Sequence, residues 1–522
     1  MALVRNTATV SGLTLVSRVF GVMRDALIAM VFGTTAQSDA FFIAFRPFDL
    51  LRKLFGDGIF SISFVPPFSR YIQTGRRDQA VSMVTSALVI LSFAGVALVL
   101  AGLLLAPWIL RFMAPGYESG SGQMAMTLVL FKIMMPYLWV ILLISLCMAV
   151  LTVLGNFCVP GATPLVFNLV VILFTLLAPG YFDVPVMGLA AGVVFGGVVQ
   201  LAFQVPLMIR HKMFRPARFV LCHPGVVAGV KKMVPCLVGA APFQLNLVVV
   251  SFLASFLADG SVSYLYYADR LVQFPVALIA VSFSTVLLPF FSRKAAAGQL
   301  ARIHQVFGNG VRLVMFVAIP AMAGLMVLAD PIVWFLFGQG AFDAHAASRT
   351  AGCLFYLALG VWAFIGVRLF VTLHYAVDSI WYPFSAGLIS VGINLLCAPL
   401  LMRVMGVEGL ALSVSISSMA GFGFLVCHPP SDMAFSRTGL LVSACRALFL
   451  SAIMTAFVGW AAGFLVYGSG GKLLLGAGVA ACVMLGAAVV FLMARILRMP
   501  EIDMVRQWMD SSLKRTDPHG KD

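Results

Sequence analysis

Apolar residues run along this chain in long blocks that end where charge, proline or glycine begins. Fourteen blocks reach or approach the roughly 20 residues that an α-helix needs to cross a bilayer. They cover 8–33, 40–66, 81–107, 124–154, 160–179, 185–209, 230–258, 262–291, 307–337, 350–375, 383–402, 407–427, 440–466 and 473–496. Connections are short and carry Gly, Pro, Asp or Ser, as at Pro179–Asp183, Ala258–Ser261 and Gly468–Lys472. No soluble domain interrupts the series. The pattern predicts an all-α polytopic membrane protein of about 14 transmembrane helices.

Composition supports this reading. The chain is 61% hydrophobic and 10% charged, with a mean hydropathy of +1.04. A soluble domain of this length carries about a quarter charged residues. The formal net charge of +15 invites a nucleic-acid reading, but no basic soluble domain exists to hold one. The basic residues instead sort by side. With the N-terminus inside, twenty fall in cytoplasmic segments and only Arg111, Arg349, Arg403 and Lys472 on the other face. That bias predicts an even number of spans and cytoplasmic termini, as in a bacterial inner-membrane protein. Arg18 interrupts the first apolar block, which therefore reads as a spanning helix rather than a cleaved signal. Nine single cysteines and seven dispersed histidines form no metal-ligand spacing.

Two stretches resemble each other. Val65-Pro66-Pro67-Phe68-Ser69-Arg70 ends the second block, and Leu288-Pro289-Phe290-Phe291-Ser292-Arg293 ends the eighth. Each follows an acidic residue and a mid-helix proline, Asp39 with Pro47 and Asp269 with Pro275. This predicts two six-helix lobes of the same orientation, residues 1–220 and 221–430, then two additional helices in 431–498 and a cytoplasmic tail, 499–522. Parallel repeats of this kind place a transporter's substrate at the repeat interface.

Ionisable residues in spans are costly and mark function. The first block carries Arg18, Arg24 and Asp25; the second Arg46, Asp49, Arg52, Lys53 and Asp57; the eighth Asp269 and Arg270. A central arginine costs roughly 2.5–3.5 kcal/mol on insertion scales, so these groups must face a wet cavity or each other. Arg46, Asp49, Lys53 and Asp57 share one helical stripe with alternating signs, while Arg52 lies off it. Arg18 and Asp25 share a face from which Arg24 is rotated away. The alternatives are mutual ion pairs that hold helices together, or a surplus of guanidinium that grips a polyvalent anion such as phosphate. Asp25, Asp39 and Asp269 are candidates for ion coupling, and Asp39 is equally a helix cap. Gly192-x-x-x-Gly196 predicts a close helix contact.

The first seventy residues also carry a resemblance. Ser17-Arg18-Val19-Phe20-Gly21, Arg24-Asp25, Phe32-Gly33, Ser38-Asp39-Ala40-Phe41-Phe42-Ile43-Ala44-Phe45 and Phe64-Val65-Pro66 resemble the MurJ (MviN) lipid II flippases of bacteria. Tyr267-Ala268-Asp269-Arg270-Leu271, Leu288-Pro289 and the spaced set Asn156, Pro160, Pro164 and Asn168 are similar to the same family. The resemblance implies the multidrug/oligosaccharidyl-lipid/polysaccharide exporter fold, two lobes in a V around a cavity, and two extra helices that take a polyprenyl tail. It implies export of the undecaprenyl-diphosphate-linked peptidoglycan precursor, lipid II, without a cofactor and without nucleic acid. Coupling to the membrane potential or a monovalent cation stays open, and cell-wall synthesis proteins are further candidate partners. By this carry-over the substrate-binding residues are Arg18, Arg24, Arg52 and Arg270. Asp57 stands where the family commonly has Glu, and Gln273 departs from a frequent Glu. Asn394 is a weak candidate ion ligand.

Three other classes compete. A cation-coupled multidrug exporter, or another lipid-linked oligosaccharide exporter, of the same superfamily would share the fold, but the former would prefer acidic cavity residues. A membrane enzyme would need a large extracytoplasmic loop with catalytic acids or bases, and the stretch around Pro107–Gln123 offers only Arg111 and Glu118. A scaffold leaves the buried arginines unexplained.

Overall fold

The computed structural model describes residues 2–54, 60–118, 122–215, 218–296, 300–377, 379–429, 437–466 and 471–501, and their regular structure is entirely helical. The chain divides into two compact units, Met1–Tyr266 with Gln339–Ala346, and Tyr267–Gly338 with Ala347–Asp522.

The first unit contains α1 (Ala2–Phe32), α2 (Ala36–Leu54), α3 (Phe60–Gln73), α4 (Arg77–Met113), α5 (Gly122–Met134), α6 (Pro136–Val153), α7 (Cys158–Tyr181), α8 (Pro185–Arg210), α9 (Pro224–Ala254) and the first turns of α10 (Ser261–Ala296). Helix α1 packs along α7, and α7 along α8. The second contact is close because α8 turns a row of small residues to its neighbour. A β-carbon at Gly192 would come within 2.7 Å of the Phe174 Cβ, and one at Gly196 within 2.9 Å of the Phe167 ring. The close contact expected there is present. Phe60, Phe64 and Phe68 of α3 interleave with Met83 and Val84 of α4, Leu146 and Val150 of α6, and Met208 of α8. The outer face of α4 is apolar as well: Leu104 is 79% exposed and Phe93 75%. Exposed apolar rows without polar relief are what a lipid solvent allows.

The second unit holds the rest of α10, α11 (Leu300–Val327), α12 (Ala329–Phe337), α13 (Ala344–Ala358), α14 (Val361–Ala376), α15 (Trp381–Met405), α16 (Val407–Cys427), α17 (Arg437–Leu465) and α18 (Lys472–Ile496). The principal pairs are α15 with α16, α11 with α17, and α17 with α18. Met454, Val458 and Ala462 of α17 pack on Val479 and Cys482 of α18.

Among the described residues eighteen helices fill the fourteen expected ranges; 124–154, 307–337 and 350–375 each hold two, and 40–66 holds α2 and α3 on either side of residues outside the described set. The 124–154 block breaks at Met135, where Pro136 opens α6 without needing an amide donor. The 350–375 block bends by 47° between α13 and α14 at Gly360. Among the described residues nine helices are long and apolar enough to cross a membrane, or ten with that bent pair. Charge-bearing α1 and α2 do not meet that test, and their charges build the candidate site.

Candidate functional site

Helix α1 brings Arg24 and Asp25 to α7. Arg24 donates from Nε (3.0 Å) and Nη2 (2.7 Å) to Asp25 Oδ1, and from Nη1 (3.0 Å) to Asn168 Oδ1. Asn168 is itself held, because its Nδ2 donates to the Ser17 carbonyl at 3.0 Å. Tyr266 approaches Asp25 Oδ1 with its hydroxyl at 3.5 Å, and its ring stacks on Phe42 of α2 with centroids 3.9 Å apart. The Asp25 side chain is 4% exposed and that of Arg24 12%. Sequence periodicity places Arg24 off the Asp25 face. The structure corrects this: a long arginine side chain folds back along the helix and reaches its neighbour in sequence. Of five guanidinium N–H donors, three are engaged by these partners.

One turn of α2 carries the second cluster. Asp49 Oδ1 accepts from Arg52 Nη2 at 2.6 Å, and Asp49 Oδ2 faces Lys53 Nζ at 3.0 Å. The expectation that Arg52 lies off the charged stripe is therefore wrong. Residues at i+3 and i+4 flank the same face, and both reach one carboxylate. Arg46, one turn earlier, is buried and donates from Nε to Ser251 Oγ of α9 at 3.0 Å. Three cations thus lie within two turns of α2, two of them on the Asp49 carboxylate. Asp57 lies outside the described residues. Arg18 sits half-buried on α1, two turns before Asp25.

Asp39 does something else. It is buried at the start of α2, and its Oδ2 accepts from the Gly260 amide at 2.7 Å while Oδ1 accepts from the Ser263 amide at 2.8 Å and from the Ser263 hydroxyl. These are first-turn donors of α10, so one helix supplies the cap of another. A further junction ties α1 to the residues after α12. The Ala341 amide donates to the Met30 carbonyl at 2.8 Å, and a β-carbon on Gly33 (φ +61°) or Gly340 (φ +60°) would collide with the opposing backbone.

The second unit holds the remaining candidates. Asp269 accepts from Gln273 Nε2 at 3.3 Å, and Gln273 Oε1 accepts from Arg368 Nη2 at 3.1 Å. Gln273 thus relays between a cation and a carboxylate by using both ends of its amide. Arg270 follows Asp269 on α10, half-buried. Asn394 is fully buried in α15 and accepts from Ser413 Oγ of α16 at 2.8 Å. Among the described residues no cluster of His, Cys, Asp and Glu could hold a metal.

Asn168, Ser251, Ser263 and Tyr266 are the partners that charge-spotting overlooks. Asn168 carried a signal, as a polar amide spaced regularly from Asn156, Pro160 and Pro164. The backbone caps at Gly260 and Ser263 carried none, because backbone amides have no sequence signature.

Ion-paired arginines inside the helix packing of a membrane protein are the mark of a transporter. The family profile described as "Lipid II flippase MurJ" matches residues 28–478. The chain belongs to this family, whose members are transporters and not enzymes. It is 33% identical over 422 residues to the "Probable lipid II flippase MurJ" of Buchnera aphidicola subsp. Acyrthosiphon pisum, covering 81% of this chain and 83% of that protein. With the "Lipid II flippase MurJ" of Burkholderia cenocepacia it shares 32% over 423 residues, 80% of this chain and 82% of the other. A solved "Lipid II flippase MurJ, inward closed conformation" superposes with a TM-score of 0.77 at 25% identity, over 94% of this chain and 99% of that one. An inward-facing multidrug-resistance MATE transporter of the MOP superfamily gives 0.67 at 10% identity, over 83% of this chain and 94% of the other. That likeness concerns the fold alone.

Proposed function

We propose that this protein carries lipid II from the cytoplasmic to the periplasmic leaflet by alternating access. Two six-helix lobes, 1–220 and 221–430, would rock about a central cavity, with both termini in the cytoplasm of a bacterial inner membrane and helices 431–498 outside the repeat. Arg18, Arg24, Arg52 and Arg270 would hold the diphosphate. The observation that carries this reading is the held guanidinium of Arg24. Asp25 and Asn168 fix its plane, so its remaining donors are presented in one geometry. A preoriented fork loses less entropy on meeting an anion than a mobile side chain does. The gathering of Arg46, Arg52 and Lys53 on α2 supports the same ligand charge and disfavours a cavity built for cationic drugs.

Depletion in cells, followed by measurement of the sidedness of lipid-linked precursor, tests the proposal. Accumulation in the cytoplasmic leaflet, reversed by re-expression, is expected. Unchanged sidedness would reject it.

A further inference from the structure

Past the end of α8 lies a segment that the transport reading does not use. The Lys212 amide donates to the Ile209 carbonyl (2.8 Å), the Met213 amide donates to the Met208 carbonyl (3.0 Å), and Lys212 stands at φ +60°. This is a Schellman termination, whose left-handed position is ordinarily glycine. Lysine there carries backbone strain and sets an ammonium at the negative end of the helix dipole. Met213 is fully buried, so the chain leaves α8 in a fixed direction.

Beyond this turn the backbone is tied down along α4. Arg77 Nη2 donates to the His211 carbonyl (3.0 Å), Ser82 Oγ to the Arg218 carbonyl (2.8 Å), and the Val220 amide to Ser86 Oγ (3.1 Å). His223 then caps α9 by accepting from the Gly225 amide at 3.2 Å. Residues 211–223, apart from 216 and 217 outside the described set, thus form an ordered strap.

Its outward surface is of one kind. Lys212, Arg215 and Arg218 are exposed, and so are Phe214, Phe219 and Leu221, the last at 68%. The strap has no acidic residue. Topology signalling needs only the charge. It needs neither a backbone fixed by three hydrogen bonds to a neighbouring helix nor exposed rings between the cations. Rings and cations interleaved on an ordered backbone suit the boundary of a bilayer, where apolar groups enter the headgroup layer and basic groups meet phosphate.

We infer that the strap, residues 211–215 and 218–223, binds the headgroups of anionic phospholipids in the leaflet beside it, the cytoplasmic one on the distribution of basic residues. Lys212, Arg215 and Arg218 contact lipid phosphate, while Phe214, Phe219 and Leu221 enter the interface. This inference does not depend on the identity of the transported molecule.

The test uses full-length protein in detergent, titrated separately with phosphatidylglycerol and phosphatidylethanolamine, with bound lipid counted by native mass spectrometry. Wild type should prefer phosphatidylglycerol by roughly tenfold or more. The triple variant Lys212→Gly, Arg215→Gln, Arg218→Gln should lose that preference, and so should wild type at high salt. Glycine suits the left-handed turn, and the strap bonds to α4 through the Arg218 carbonyl rather than its side chain, so the variant keeps the fold. If its thermal unfolding nevertheless shifts, the single variants Arg215→Gln and Arg218→Gln carry the test, each lowering the preference severalfold. Equal binding of the two lipids by wild type would overturn the inference. So would a preference undiminished in the variants, as expected were the strap a dock for an acidic protein.

Discussion

A guanidinium gripped by Asp25 and Asn168 is a structural part and, in the proposed function, a binding device, and the two roles separate experimentally. Removing Arg24 leaves a carboxylate in a nearly dry site, which costs about 3–5 kcal/mol when a buried pair is broken on one side. Arg24→Ala should therefore lower membrane abundance as well as function. Adding Asp25→Asn removes the buried charge that has lost this partner, so the double variant should regain abundance while complementation of a depleted strain still fails. Arg24→Lys should keep the pairing and rescue only partly, because an ammonium lacks the planar fork that matches a diphosphate. Recovery of function together with abundance in the double variant would leave Arg24 a structural residue. The charges themselves were plain in the sequence, because Arg and Asp in an apolar block are conspicuous. Their pairing was not. Helical periodicity treats side chains as short spokes, whereas arginine and lysine are long and flexible enough to turn back. That is why Arg24 meets its immediate neighbour and Arg52 meets Asp49.

Helices here are joined by caps as much as by apolar packing. Asp39 joins the start of α2 to the start of α10, and Asp39→Ala would strand two buried backbone amides, at about 1–3 kcal/mol each. Thermal unfolding in detergent should shift down accordingly, by a total of about 2–6 kcal/mol. Asp39→Asn keeps an acceptor for one amide, sets its NH2 against the other and loses the charge, so it should recover only part of the lost stability. Complementation that recovers in step with stability identifies a cap; complementation lost while stability partly recovers identifies an ion-coupling carboxylate. Element ranges were legible because twenty-odd apolar residues have few other solutions in lipid. The divisions within three of them were not. Hydropathy is blind to direction, so it reads straight through Gly360, where the chain bends by 47°, and through Met135, where one apolar helix ends and the next begins. The close α7–α8 contact was legible because Gly192 and Gly196 announce it by spacing alone.

At the scale of the molecule, the proposed alternating access would require the two proposed lobes to move against each other, with Pro47 and Pro275 in helices that flex. Cysteine pairs introduced across the lobes, in a background cleared of the native cysteines, should arrest lipid II flipping when oxidised and restore it on reduction. Undiminished flipping with full cross-linking would contradict the rocking motion. Native Cys158, Cys222, Cys427 and Cys445 are exposed and must be replaced first. The first unit meanwhile imposes an order on manufacture. Its residues Gln339–Ala346 lie far along the chain from the rest, yet Ala341 closes on the Met30 carbonyl and Gly340 fills the space against α1. Ala341 is synthesised 311 residues after Met30. At roughly 5–20 residues per second, α1 waits about 15 to 60 s in the membrane for it. Throughout that interval the end of α1 is an open seam in a growing chain, and whatever shields it on the ribosome's side of the clock is part of how this transporter is made.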